Sequence, residues 1–163
     1  MGAEYEPIAY VGSQVVNGIN HAVLAKQTVL SGKDTANIVM MIFNEKPNDM
    51  VATLVSIDRL VESGAELGGV KIDVQTELSD EIMEVWNSAF EVWTGGTMTP
   101  YALLGTQMTK GTDYIFAVAF SANTVEPFEQ ALLVTINPMT KDVHIADMLA
   151  SKYETSLGYA FNW

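Results

Sequence analysis

The sequence predicts an α+β fold in which antiparallel sheets pack on one central helix. Strand-like segments follow one another through short turns, which is typical of an antiparallel meander. One amphipathic helical segment lies between two such groups of strands. Residues 7–49 align without a gap with residues 100–142, and this self-similarity indicates an internal duplication of a three-strand meander.

The duplication rests mainly on turn-forming and polar residues. In the first copy Asn17-Gly18 predicts a tight hairpin, because both residues tolerate a positive φ. We therefore divide the chain into a first arm of strands over residues 1–65 and a second unit over residues 66–163, together forming one integrated globule. The identical pairs at the shared offset are Pro7/Pro100, Ala9/Ala102, Gly12/Gly105, Gln14/Gln107, Gly18/Gly111, Asn44/Asn137 and Asp49/Asp142.

The predicted helix covers residues 79–93. Ser79 is a suitable N-cap, and the charges of Asp80 and Glu81 in the first turn complement the helix dipole. We expect one apolar stripe to pack on the sheet of the second unit, whereas the first arm has no helix and its sheet needs another cover. The stripe consists of Ile82, Val85, Trp86, Ala89, Phe90 and Trp93.

The end of the chain reads "SLGYAFNW", residues 156–163, in which apolar residues alternate as they do in a strand. We expect this segment to pair with one of the arms, either in the same chain or in a dimer mate. If a second chain supplies the cover for the first sheet, the protein is a homodimer.

Composition excludes several classes of function. The chain has 163 residues, no cysteine and a net charge of -12, so it forms no disulfide and no cysteine-based zinc site. Such an acidic surface repels nucleic acids and anionic membranes, and we expect neither as a partner. No signal peptide is visible and no apolar run approaches the ~20 residues that a bilayer requires, so the default expectation is a cytoplasmic protein.

The sequence offers little for catalysis. His21 and His144 are the only residues that titrate near neutral pH, and each is read as isolated within a strand. Asp142 and His144 are two positions apart and could share a face as a weak metal or acid–base pair. Recognisable catalytic and phosphate-binding motifs are missing. We therefore expect a protein that is not an enzyme, with no catalytic residue, metal or cofactor.

The hairpin that follows a strand and a helix resembles the pattern of the cystatins, whose turn carries Gln-x-Val-x-Gly. "QVVNG", residues 14–18, matches this motif in full, and "QMTKG", residues 107–111, has Thr109 in place of the valine. Residues 68–150 are also similar to small, uncharacterised cystatin-like proteins of bacteria, and residues 5–60 are partially so. The resemblance implies a cystatin-like fold.

Cystatins block papain-like cysteine proteases with a wedge made of an N-terminal segment, the glutamine hairpin and a second hairpin with Pro-Trp. Neither arm has all three parts, since the second turns contain Pro47-Asn48 and Pro138-Met139 without a tryptophan. By resemblance, the contact surface for a protein partner consists of Gln14, Val15, Val16, Asn17, Gly18, Gln107, Met108, Thr109, Lys110, Gly111, Pro138 and Met139.

Three functions remain open at this point. The first is a non-enzymatic protein-binding or scaffold module. The second is an inhibitor of papain-like cysteine proteases that uses the Gln14–Gly18 hairpin, and the third is an enzyme of unknown activity on this fold. A purely structural explanation also exists, because a tight turn needs a glycine wherever its φ is positive.

Overall fold

A computed structural model describes residues 2–30, 35–48, 51–64, 68–91, 93, 95–122, 129–149 and 154–155. The elements in chain order are β1 (Ala3–Val15), β2 (Ile19–Val29), β3 (Thr35–Glu45), β4 (Thr53–Glu62), β5 (Val70–Gln75), α1 (Asp80–Phe90), β6 (Gly96–Thr109), β7 (Gly111–Ala122), β8 (Glu129–Asn137), β9 (Asp142–Asp147) and β10 (Glu154–Thr155). They form two compact units. The first unit is an antiparallel sheet of order β10-β1-β2-β3-β4, and the second is an antiparallel sheet of order β5-β6-β7-β8-β9 with α1.

The prediction of an α+β, cystatin-like fold with sheets packed on one central helix is wrong. Among the described residues, ten strands in two antiparallel sheets and one helix of 11 residues make the structure mostly β. The first long strand of each sheet begins before Pro7 or Pro100, since β1 starts at Ala3 and β6 at Gly96. The helix is shorter than predicted and ends at Phe90. Residues 3–6 and 96–99 are therefore strand, and the helix loses its predicted last turn.

The repeated element is a four-strand meander, β1–β4 and β6–β9, rather than three strands. Both copies carry their irregularities at matching positions. The register of β1 with β2 shifts at Pro7/Ala9 and at Tyr10/Gly12, and that of β6 with β7 shifts at Pro100/Ala102 and at Leu103/Gly105. Because bulges are set by local sequence and re-aim the strand, their repetition means that the two sheets bend at equivalent points.

The fifth strand of each sheet comes from a different part of the chain. Ile72 of β5 lies opposite Gly105, and Thr155 of β10 lies opposite Gly12, the equivalent glycine. Thus β10 occupies in the first sheet the place that β5 occupies in the second. The strand expected at residues 156–163 lies outside the described residues.

The helix packs on the sheet of the second unit, as its apolar stripe predicts. Ser79 Oγ accepts a hydrogen bond of 3.3 Å from the backbone N–H of Ile82, which confirms the predicted N-cap. Trp86 is 4% exposed, stacks on Phe90 and meets Phe116 of the sheet edge-on, with ring centroids 4.3 and 5.3 Å apart. Buried aromatic pairs of this kind make large contributions to a core.

The first unit has no helix among its described residues, and its sheet face combines a small apolar core with a polar chain. Ala25, Val39 and Met41 are buried together on this face. Alongside them the amide of Asn37 donates to Gln27 Oε1 over 3.1 Å, and the amide of Gln27 donates to the Tyr5 hydroxyl over 2.9 Å. The buried amides are thereby satisfied by one another.

Replacing Tyr101 with phenylalanine should stabilise the protein. The Tyr101 hydroxyl is buried and has no hydrogen-bond partner in the described part of the chain. Leaving such a group unpaired is costly, so we expect Tyr101→Phe to raise the free energy of unfolding by about 1 kcal/mol in urea at pH 7. Tyr5→Phe is the control, because it removes a hydroxyl that accepts a hydrogen bond. A loss of stability in Tyr101→Phe would contradict the unpaired hydroxyl.

The same substitution should change the response to alkaline pH. Burial raises the pKa of Tyr101 above the 10.0 of a free phenol, so the neutral form is favoured in the folded state. The folding stability linked to the neutral side chain is fully present below pH 10.0 and is lost as the pH rises above this value. Wild-type stability should therefore fall more steeply above this pH than that of Tyr101→Phe, measured by urea unfolding across the range. Parallel curves would contradict this account.

Candidate functional site

In each unit, two turns lie side by side at one end of the sheet. We call residues 15–19 with the described residues of 45–52 the first loop pair, and residues 108–112 with 137–142 the second loop pair. Gly18 and Gly111 have φ values of 104° and 94°. A Cβ atom at Gly18 would overlap the carbonyl oxygen of Glu45, and one at Gly111 would lie 2.9 Å from Met139 Cβ. Glycine is therefore required in both hairpins by conformation and by space.

A buried asparagine joins the two turns of the second loop pair. Asn137 is 3% exposed, and its amide group donates to the carbonyl oxygen of Lys110 over 3.1 Å and to Asp113 Oδ1 over 2.9 Å. Its own Oδ1 accepts from the backbone N–H groups of Met139 and Thr140, each over 3.0 Å. One side chain thus satisfies the polar groups of both turns, which fixes them relative to each other.

The equivalent residue of the first loop pair, Asn44, makes fewer hydrogen bonds. Its amide donates to Asn20 Oδ1 over 2.8 Å and more weakly to the carbonyl oxygen of Val16 over 3.5 Å. Its Oδ1 is buried without a partner in the described part of the chain. Pro47 stands at the position of Thr140 and has no N–H to donate. We call the side-chain hydrogen bonds of Asn137, and of Asn44 in the first unit, the clamp. The clamp of the first loop pair is consequently the weaker of the two.

The two glutamines of the repeated motif bond locally. Gln107 Nε2 donates to the carbonyl oxygen of Gly68 over 2.8 Å, and Gln14 Oε1 accepts a long bond of 3.4 Å from Asn20. Both side chains are half-buried. They therefore support the hairpins, and the exposed surface is made by their neighbours.

The exposed surface of the loop pairs is apolar to an unusual degree. Among the described residues, the four most exposed large hydrophobic side chains all lie in the loop pairs: Val15 (84%), Val51 (75%), Met108 (71%) and Met139 (68%). Val16 is 47% exposed. Asn17, Thr109, Lys110 and Pro138 are also exposed, whereas Gly18 and Gly111 are half-buried. Within each loop pair taken by itself, exposed apolar side chains on the two turns are typical of an interaction site.

The expectation that His21 is isolated is wrong. Its Nδ1 lies 2.6 Å from the Tyr10 hydroxyl, and its Nε2 lies 2.8 Å from Glu45 Oε2. Tyr10 lies opposite Val23 and Glu45 opposite Ile19, the two neighbours of His21 on the same face of β2. The sequence shows the alternation within β2, but the pairing register that brings the three side chains together involves two other strands.

The chain of bonds through His21 suits positioning better than catalysis. A carboxylate only accepts, so Nε2 carries a proton, and in the neutral imidazole Nδ1 accepts from the Tyr10 hydroxyl. The pKa of Tyr10 is raised by burial and by the charge of Glu45, against the opposing effect of a hydrogen bond from Ser13. A raised phenol pKa is the reverse of what activates a nucleophile. The bonds instead tie Glu45, at the base of the first loop pair, to β1 and β2.

The remaining sequence candidates are not brought together. His144 is exposed on β9, and the Asp142 carboxylate accepts a bond of 2.8 Å from the Thr140 hydroxyl. Within the described ranges, no cluster of three or more histidine, aspartate or glutamate side chains could hold a metal ion. The helix that the structure describes is too short to cross a membrane.

Comparisons with known proteins add no relative. No protein-family model matches the sequence, and neither the curated proteins nor the solved structures contain a match. Inferences about function therefore depend on the residues and their geometry.

Removing the clamp should destabilise the two units unequally. Asn137→Ala leaves the carbonyl of Lys110 and two backbone N–H groups without a partner, so we expect a loss of about 3 kcal/mol in the free energy of unfolding. Asn44→Ala should cost about 1 kcal/mol, because that side chain makes fewer bonds. Urea unfolding measures both, with Asn87→Ala on the exposed face of α1 as the control. An Asn137→Ala loss no larger than that of Asn44→Ala would contradict the clamp.

Proposed function

We propose that the protein is a non-enzymatic binding module that contacts a partner protein through its loop pairs. The observation that carries the proposal is the concentration of the most exposed hydrophobic side chains, Val15, Val51, Met108 and Met139, in these four turns. A folded chain gains nothing for its own stability by leaving such side chains in water, whereas burial against a partner recovers the hydrophobic contribution.

The construction of the second loop pair supports this role. Met108 and Met139 are flexible and polarisable, which suits them to pockets of varied shape. Asn137 fixes the backbone beneath them, so binding costs less ordering of the loops. Lys110 and Lys141 lie exposed beside the methionines. The partner that fits is an apolar cleft with acidic groups on its rim.

Site-specific cross-linking tests the proposal. A photoreactive side chain is placed at position 108, at position 15, or at the control position 30, where Leu30 is also exposed (42%) but lies at the opposite end of β2. After irradiation with extract from the protein's own cells, we expect a discrete cross-linked product from positions 108 and 15. Products that are identical from position 30, or missing from both loop positions, would reject the proposal.

The second candidate function, inhibition of a papain-like cysteine protease, is favoured by one observation. The hairpin that carries the complete Gln-x-Val-x-Gly motif presents Val15 and Val16 to solvent, 84% and 47% exposed. A hairpin of this kind can enter a protease cleft and block it without offering a peptide bond in a cleavable position.

Titration against papain decides this alternative. If it holds, the wild type inhibits at micromolar concentration and Val16→Asp weakens inhibition by at least about tenfold, since a charge would enter an apolar cleft. Leu30→Asp serves as the matched control and should inhibit as the wild type does. Absence of inhibition, or equal inhibition by Val16→Asp, would remove this function while leaving the broader binding proposal standing.

A further inference from the structure

The helix of the second unit is too short to cover its sheet. Its 11 residues span about 16 Å, whereas the 12 residues of β7 span about 40 Å. The helix covers the part of the face around Phe116 and Val134 and ends at Phe90. Beyond Phe90 no described helix continues over the sheet face, towards the end of the sheet opposite the second loop pair.

A cavity of about 310 Å³ lies beyond the end of the helix. Met98 of β6 lies opposite Phe120 of β7, which in turn lies opposite Gln130 of β8, so the three side chains form one row across the sheet. Trp93, just after the helix, forms a wall and is 44% exposed. The full lining is Trp93, Met98, Phe120, Gln130, Leu132, Ile145, Ala146 and Asp147.

The first unit fills the equivalent row differently. At the positions of Met98, Phe120 and Gln130 it has Tyr5, Gln27 and Asn37, the three residues of the polar chain described above. Hydrogen bonds across the strands satisfy that row from within. The row in the second unit is largely apolar and aromatic, and its three side chains line the cavity.

The polar groups that line the cavity favour a ligand with a positive charge. The lining contains a carboxylate, Asp147, and an amide, Gln130, but no cationic side chain. Asp147 lies opposite Leu132 on the edge strand β9, at the wall of the cavity. The aromatic ring of Trp93, which is 44% exposed, also attracts a cation. Both features favour a ligand that is apolar and carries one positive charge.

We propose that this cavity binds a small arylalkylamine, a compound with an aromatic ring and an ammonium group on a short chain. The ring packs among Trp93, Met98 and Phe120, and the ammonium group donates to the carboxylate of Asp147. A volume of about 310 Å³ is at the lower end of ligand pockets, which limits the ligand to one or two fused rings. The site is independent of the loop pairs and of the proposed function.

Titration with three indoles of different charge tests the proposal. Tryptamine carries a positive charge, 3-methylindole is neutral and indole-3-acetate is negative. Each is added to the full-length protein while the NMR signals of the Trp93 indole and the Met98 methyl group are followed. We expect tryptamine to bind at least about tenfold more tightly than 3-methylindole, and indole-3-acetate to bind most weakly.

Two variants then assign the charge preference. Asp147→Asn should reduce the affinity for tryptamine to that for 3-methylindole, with the latter unchanged. Glu84→Gln, on the exposed face of α1, removes a carboxylate that does not line the cavity and should leave both affinities unchanged. No shift of the Trp93 and Met98 signals with tryptamine up to about 10 mM would overturn the proposal. Equal binding of the three compounds, or an unchanged preference in Asp147→Asn, would also overturn it.

Discussion

The loop pairs depend on one interaction, the hydrogen bonding of an asparagine at the end of the third strand of each meander. Asn137 donates to one turn and accepts from the next, so neither turn can move without leaving a buried polar group unpaired. Gly111 then allows the two backbones to approach closely. Because Asn137 fixes the backbone of both turns, Met108 and Met139 can remain in solvent without disordering the loops.

The two units share the same arrangement of strands and turns, but they differ in the hydrogen bonds that hold it. In the first unit Pro47 removes a donor from the clamp, and Glu45 is held instead through His21 and Tyr10. The rows at the opposite ends of the sheets also differ, since one closes with its own hydrogen bonds and the other surrounds a cavity. These differences indicate that the repeated scaffold carries separate surfaces, which have diverged in chemistry more than in backbone.

Local features of the chain were predictable from its sequence, and the overall class was not. The Asn17-Gly18 turn, the N-cap at Ser79 and the apolar stripe around Trp86 follow from local conformational preference and periodicity, and the structure confirms them. The predicted fold class was wrong because β1 and β6 continue through Pro7 and Pro100 as long bulged strands and the helix stops at Phe90. Local turn and periodicity patterns do not show how far an element extends. The pairing of His21 with Glu45 depends on strand register, and the cavity beside Trp93 depends on where the helix ends.

The most direct test of the account is the backbone order of the loop pairs in the free protein, measured by ¹⁵N relaxation. If the clamp holds the apolar side chains on a preformed surface, the amides of residues 109–111 and 139–141 should have order parameters near 0.85, as in rigid strands. Order parameters below about 0.6 for these amides would show loops that are flexible before binding, and they would contradict the account.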